Sequence, residues 1–201
     1  MNSRIESLLL DLQKRVKKLE DENTELKRWL SREKKKVNIT QWLIEHWAPR
    51  ADFFAWQKNI DLTIKDLEKV FRHGLSTGVC YIIQRYLPIA HHTAFPIIGF
   101  KQRGFVFYIY DEEKWRVMQS TELDKLIRDI NTKLFLVFNE WEKENEAMLK
   151  TEEGRKVYHR NLKKILLLPD KLDPTIKKIR NRLFQYLHID LKNVTEFEFS
   201  F

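Results

Sequence analysis

The stretch "RVKKLEDENTELKRWL", residues 15–30, decides how the rest of the chain is read. Its apolar residues recur at the coiled-coil period. With Ile5, Leu12, Leu19 and Leu26 at d of a heptad, Leu9, Val16, Asn23, Leu30 and Val37 fall at a. Four heptads without Pro or Gly, carrying a narrow a/d stripe, predict a left-handed coiled coil. In a parallel pair, g of one helix meets the next e of the other. Arg15 then faces Glu20 and Glu22 faces Lys27, so a parallel homo-oligomer is self-complementary. Leu10 and Trp29 widen the stripe, which supports the competing reading of a helix lying on its own domain.

The same residues bear on strand number. Asn23 at a, with Val at a and Leu at d, favours two strands, because a buried amide finds its mirror image across a dimer axis. "RVKKLE", however, resembles the Arg-apolar-x-x-apolar-Glu pattern of short trimeric coiled coils, in which the arginine folds over the seam onto a neighbouring glutamate. The expectation is a parallel dimer, with a trimer as the alternative. Zipper transcription factors carry a continuous basic helix ahead of the coil. Here only "MNS" and Arg4 precede Ile5, and the basic run "REKKK" (32–36) follows the seam as its solvated exit.

The chain has 201 residues and a formal charge of +8, enough for one main domain and an appendage. Five Gly and five Pro argue against a linker-rich chain. Cys80 stands alone, so an intrachain disulfide is excluded, and a small buried residue in a reducing compartment is its expected role. Arg4, Glu6 and Asp11 interrupt the first apolar stretch, and no apolar run reaches the ~18 residues a membrane span needs. The expectation is an intracellular protein, neither secreted nor membrane-bound.

Beyond residue 37 the pattern turns globular. "NITQWLIEHWAPR" predicts a short helix capped near Thr40, docked by Trp42, Leu43 and Trp47. "IDLTIKDLEKVFRHG" carries a capping box, Thr63 with Asp66, and ends at Gly74. "STGVCYIIQRYLP" follows, with Ser76 as its cap and Pro88 as its stop. The two form a candidate helix-turn-helix in which Ser76, Thr77 and Gln84 approach bases and Arg85 a phosphate. Against this, Val79, Tyr81, Ile82 and Ile83 suit a buried helix better.

In "FPIIGFKQRGFVFYIYDEEKWRVMQ", Phe105, Phe107 and Ile109 alternate with Val106, Tyr108 and Tyr110, so both faces are apolar. That predicts the central strand of a small antiparallel meander, with "KQRG" and "DEEK" as its turns. "RGFVFYIY" also resembles the octamer of RNA-recognition motifs at Arg103, Gly104, Phe105, Phe107 and Tyr110. Val106 and Tyr108 depart from that pattern, and no partner strand with its own aromatic signature precedes it. The core-strand reading prevails.

"STELDKLIRDINTKLFLVFNEWEKEN" is the clearest globular helix, capped by Ser120 or Thr121. Leu123, Leu126, Ile127, Ile130, Leu134, Val137, Phe138 and Trp141 trace its inner face. "GRKVYHRNLKKILLL" and "DPTIKKIRNRLFQYL" follow as helices, the second capped by Asp173 and facing inward through Ile176, Ile179, Leu183 and Leu187. "NVTEFEF" (193–199) alternates as a terminal strand expected to join the hairpin.

Charge is unevenly spread. Residues 150–182 hold eleven Lys/Arg against four Asp/Glu, whereas residues 111–148 hold six against ten. The basic segment suits a polyanion or acidic partner, and Lys163, Lys164, Lys177, Lys178 and Arg182 are the candidate phosphate contacts. A solvated mixed-charge surface is the plain alternative. No phosphate-cradling Gly loop, GxSxG, HExxH or CxxC occurs, and His91 and His92 have no cysteine near them. No catalytic residue, metal site, cofactor or small-molecule substrate is therefore expected.

"FKQRGFVFYIYDEEKWRVMQSTELDKLI" together with "KIRNRLFQYLHIDLKNVTEFEF" resembles a module of proteins from nucleocytoplasmic large DNA viruses, often placed downstream of a coiled coil. The resemblance covers roughly the second half of the chain and transfers no catalytic residue. It implies a viral protein that acts by binding, on the genome or inside a particle. Its location would then be host cytoplasm, nucleus or virion. The sequence thus predicts a mainly helical α+β protein in two parts, a parallel coiled-coil stalk over 1–37 and a globular domain with a small antiparallel β-meander over 38–201. Its expected partners are itself and either nucleic acid or virion proteins.

Overall fold

The computed structural model describes residues 2–30, 35–87, 94–168, 171–191 and 197–200, with side chains over 9–26, 38–87, 94–168 and 171–191. The chain is mainly helical with two small sheets, an α+β protein. It divides into two compact units. One comprises Met1–Val37 and Thr195–Ser200, the other Asn38–Val194 with Phe201. Among the described residues no helix is long and apolar enough to cross a membrane.

In the first unit, α1 runs unbroken over Asn2–Leu30. It lacks helix breakers and carries i,i+4 ion pairs at Asp11–Arg15 and Lys18–Glu22. Such exposed pairs each contribute only a few tenths of a kcal/mol. The heptad phase does not extend to Val37, because β1 occupies Lys35–Asn38. That strand pairs with β6, Phe197–Ser200. The C-terminal strand therefore does not join the hairpin sheet as the alternation suggested. Extended segments of alternating pattern pair with whichever edge the fold presents, and sequence does not name the edge.

The second unit is built on a four-stranded sheet of order β4-β3-β2-β5, with β2 at Ile97–Phe100, β3 at Arg103–Asp111, β4 at Lys114–Val117 and β5 at His188–Ile189. The β2-β3-β4 meander is antiparallel as expected. The sheet as a whole is mixed, because β5 adds parallel to β2 through Gly99–His188 and Phe100–Ile189. Two residues give no periodicity to read, so this strand was invisible in sequence. β3 is interior and both its faces are covered. On one face lie Ile98, Phe100 and Tyr108 under α2, Ile39–His46, where Trp42 packs edge-on against Phe100 at 6.3 Å. Ile97, Phe107 and Ile109 face the main helical core.

That core is made by α4 (Ile64–His73), α5 (Leu75–Tyr86), α6 (Ser120–Glu144) and α9 (Leu172–Leu187), with the short α7 (Glu146–Leu149) leading into α8 (Glu152–Ile165), which packs on α4 and α6. All eight predicted inner residues of α6 are buried, as are the four of α9. α9 lies close on the sheet because a Cβ on Gly99 would come within 2.8 Å of the Phe184 ring. Helix starts differ from expectation by a residue or two. Asn38 caps α2 in place of Thr40, Gln119 and Glu122 form the capping box of α6, Gly74 starts α5, and Lys171 precedes α9.

Asp52 ties a short helix, α3 (Phe53–Lys58), to the β3–β4 turn. Its carboxylate accepts from the Phe54 and Glu112 N–H groups at 2.8 and 2.9 Å. The second of these bonds holds Glu112, which with Glu113 adopts a left-handed backbone in the turn. Burial pushes the Asp52 carboxyl up, but the N–H donors of Glu112, Phe54 and Ala55 outweigh it and hold the group below its ordinary value. Arg116 donates to both Asp111 and Glu122, and this bond keeps the Glu122 carboxyl low. Both groups stabilise the fold above their unfolded pKa values, about 4. That contribution disappears as pH falls through the depressed folded values. Thermal unfolding should therefore hold its midpoint down to about pH 4 and fall below it. The Asp52→Asn variant should show a smaller acid-induced drop. An equal drop in the variant would exclude Asp52 as a contributor.

Candidate functional site

α4 and α5 pack along their whole length. Asp66 meets Arg85 at the open end, Lys69 lies over the Tyr81 ring at 5.1 Å, and a Cβ on Gly78 would strike Val70. These successive contacts define an antiparallel helical hairpin turning at Gly74, whose φ of 80° suits glycine. It is not an open DNA-reading pair. Val79, Ile82 and Ile83 are buried, Thr77 accepts a hydrogen bond from Arg182 at 2.5 Å, and Arg85 is held by Asp66. Two of the four residues proposed to reach DNA are thus already engaged within the fold.

The outer face of this hairpin is an open groove of about 290 Å³ lined by Lys65, Asp66, Glu68, Lys69, Arg72, Tyr81 and Arg85. Lys65, Lys69 and Arg72 are spaced i, i+4, i+7 and so share one face of α4. Tyr81 and Arg85 share one face of α5. Asp66 is fully buried, and its carboxylate is occupied by Arg85 at 2.7 Å and by the Thr63 N–H and hydroxyl at 2.9 Å each. The expected Thr63–Asp66 capping box is therefore present, with a charge partner from the next helix.

The five basic residues singled out from sequence lie on two helices, α8 and α9. Lys163 is exposed on α8, while Lys164 reaches the Phe71 carbonyl in the last turn of α4, where a cation complements the helix dipole. Lys177 and Lys178 are exposed on α9, and Arg182 donates to Thr77. Lys177 lines a second groove with Phe105, Asp124, Asp173, Ile176, Arg180 and Asn181, where two carboxylates offset its charge. Lys164 and Arg182 thus have fold-internal partners.

Phe105 is half exposed at a bulge in β3, with a φ of 62° that bulky side chains rarely adopt, and its ring lies 5.2 Å from Phe184. Phe107, the second aromatic of the octamer pattern, is buried against the same ring. α9 therefore covers the surface on which an RNA-recognition motif would stack bases. Cys80 is buried, its thiol pushed up to about 11 by burial, and it donates to the Ile179 carbonyl. His91 and His92 lie outside the described residues. Among those described, no cluster of three or more His, Cys, Asp or Glu is placed to hold a metal.

In α1 the side chains of Leu9, Leu12, Val16, Leu19 and Leu26 are 51 to 63% exposed, and Asn23 shares their stripe. Of the remaining seam positions, Ile5 and Leu30 belong to α1, but their side chains lie outside the described set. Compared with protein-family models, curated proteins and solved structures, the chain matches none.

The hairpin groove is not legible in the sequence. The spacing of Lys65, Lys69 and Arg72 was visible there. Their meeting with Tyr81 depends on an antiparallel packing that local pattern does not encode.

Proposed function

We propose that the chain is a non-enzymatic homo-oligomer whose α1 seam joins two or three copies in parallel and presents basic globular domains to nucleic acid without strong sequence preference. The exposed seam carries this reading. Five large apolar side chains share one stripe of a 29-residue helix and stay open to water in the single chain. Burying each against a partner contributes about 1.5–3 kcal/mol before association costs. The formal charge of +8 supports attraction to a polyanion. The resemblance to modules of large DNA viruses suits a genome-bound protein of that kind.

A virion scaffolding role is the second reading. The half-exposed Phe105, on a left-handed backbone against Phe184, and the exposed Val117 favour it as a protein-contact surface. Titrating the full chain with a fluorescent random-sequence oligonucleotide across a salt series separates the two. Nucleic-acid binding predicts an affinity that falls steeply with salt. Co-purification with particle proteins and no retention of oligonucleotide at low salt would favour the scaffold.

A further inference from the structure

We infer that the outer groove of the α4–α5 hairpin is where the chain holds single-stranded nucleic acid, with Lys65, Lys69 and Arg72 on phosphates and Tyr81 stacked on a base. The inference rests on the nucleic-acid reading above and moves its contact site off α8 and α9. Three observations carry it. Lys65, Lys69 and Arg72 have no ion-pair partner among the described residues and rise along one face of α4 in steps of about 6 and 4.5 Å. Of the two carboxylates in the groove, Asp66 is already saturated by Arg85 and Thr63, which leaves Glu68 alone against the three cations. Tyr81, 39% exposed, lies beside these charges, with the Lys69 ammonium 5.1 Å from its ring centre. The Lys69 ammonium lies over one face of the ring, so a nucleotide brings its base onto Tyr81 as that cation moves to the phosphate.

The aromatic plane selects the strand type. In a duplex the base faces are stacked on one another, so Tyr81 gains nothing there. In a single strand a splayed base can stack on the ring. An acidic peptide would satisfy the cations but leave Tyr81 unused. Of the five α8/α9 residues, Lys164 and Arg182 already have partners in the fold, and Lys177, although beside the exposed Phe105, faces the carboxylates of Asp124 and Asp173.

The test uses the full chain and three variants, Lys65→Glu/Lys69→Glu/Arg72→Glu, Tyr81→Ala, and Lys163→Glu/Lys177→Glu/Lys178→Glu, which spares Lys164 and Arg182 because they hold the hairpin. Each is titrated with a fluorescent single-stranded oligonucleotide, the matching duplex and a polyglutamate peptide across a salt series. Arg85 is left intact because it holds Asp66. The triple variant should lose binding at moderate salt, with a log–log salt slope shallower by about 2. Tyr81→Ala should bind the single strand about tenfold more weakly with an unchanged slope. The variants of α8 and α9 should retain most of the affinity. If the triple variant misfolds, Lys65→Gln/Arg72→Gln, which leaves Lys69 on Tyr81, should still flatten the slope by about 1. Wild-type binding that survives the hairpin variants but is lost in the α8/α9 variant overturns the inference and leaves the nucleic-acid reading standing. Equal affinity for polyglutamate, with no effect of Tyr81→Ala, overturns it in favour of a protein-binding groove. No binding by the wild type removes both.

Discussion

A Leu12→Asp/Leu19→Asp variant should be monomeric and should bind an oligonucleotide long enough to reach several domains about 100-fold more weakly than the wild type. Both leucines sit at d, and both are exposed on the isolated α1, at 56 and 63%. In an oligomer each would be buried against its counterpart, and an aspartate there places like charges opposite one another in an apolar seam. The loss of affinity follows without any change in the basic domain. Joined domains rebind at an effective concentration set by their tether, which commonly raises avidity by a factor of about 10² to 10⁴. A short oligonucleotide that spans one domain is the internal control, and its affinity should not change. Equal weakening for short and long strands would mean that the substitutions damage the domain and not the linkage.

Arg85→Ala should cost about 3 kcal/mol, the largest loss expected from one surface-reaching residue. Its partner Asp66 is completely buried, while Arg85 itself is about one third exposed. Removing the arginine leaves a carboxylate in the core with only the Thr63 N–H and hydroxyl as donors. The penalty comes from the stranded charge, not from the lost contact. The unfolding midpoint should fall by about 10 °C for a chain of this size. Adding Asp66→Asn to Arg85→Ala should recover part of that loss, because the stranded group is then neutral. A loss of about 0.5 kcal/mol, typical of a plain surface change, would show that Asp66 does not depend on Arg85. The same argument explains why Arg85 is a poor probe of the groove it lines.

Long periodic elements were legible in the sequence. Leu123 through Trp141 repeat at helical spacing within the 25-residue α6, and every residue assigned inward is buried. The two-sided apolar pattern of β3 marked it as interior. Helix starts were less legible, because several residues near each start can accept a backbone N–H and local geometry chooses among them. Gln119 displaced Ser120 in this way, once Glu122 closed the box from the third position. β5 and β1 were not legible, since two to four extended residues gain their identity only from a neighbour, and the alternation that marked β6 did not name β1 as its partner. The basic cluster was legible as charge and not as surface. Lys164 and Arg182 look like free cations in sequence, yet each is committed to the α4–α5 hairpin. The groove on that hairpin is a product of packing, so its parts were readable and its assembly was not.

The proposed function requires that the α1 seam join copies of the chain. Sedimentation equilibrium of the intact protein at micromolar concentration tests it most directly. A mass of two or three chains, falling to one in Leu12→Asp/Leu19→Asp, is the predicted result. A single-chain mass for the wild type at every concentration reached would contradict it, and the exposed leucines of α1 would then need a different partner.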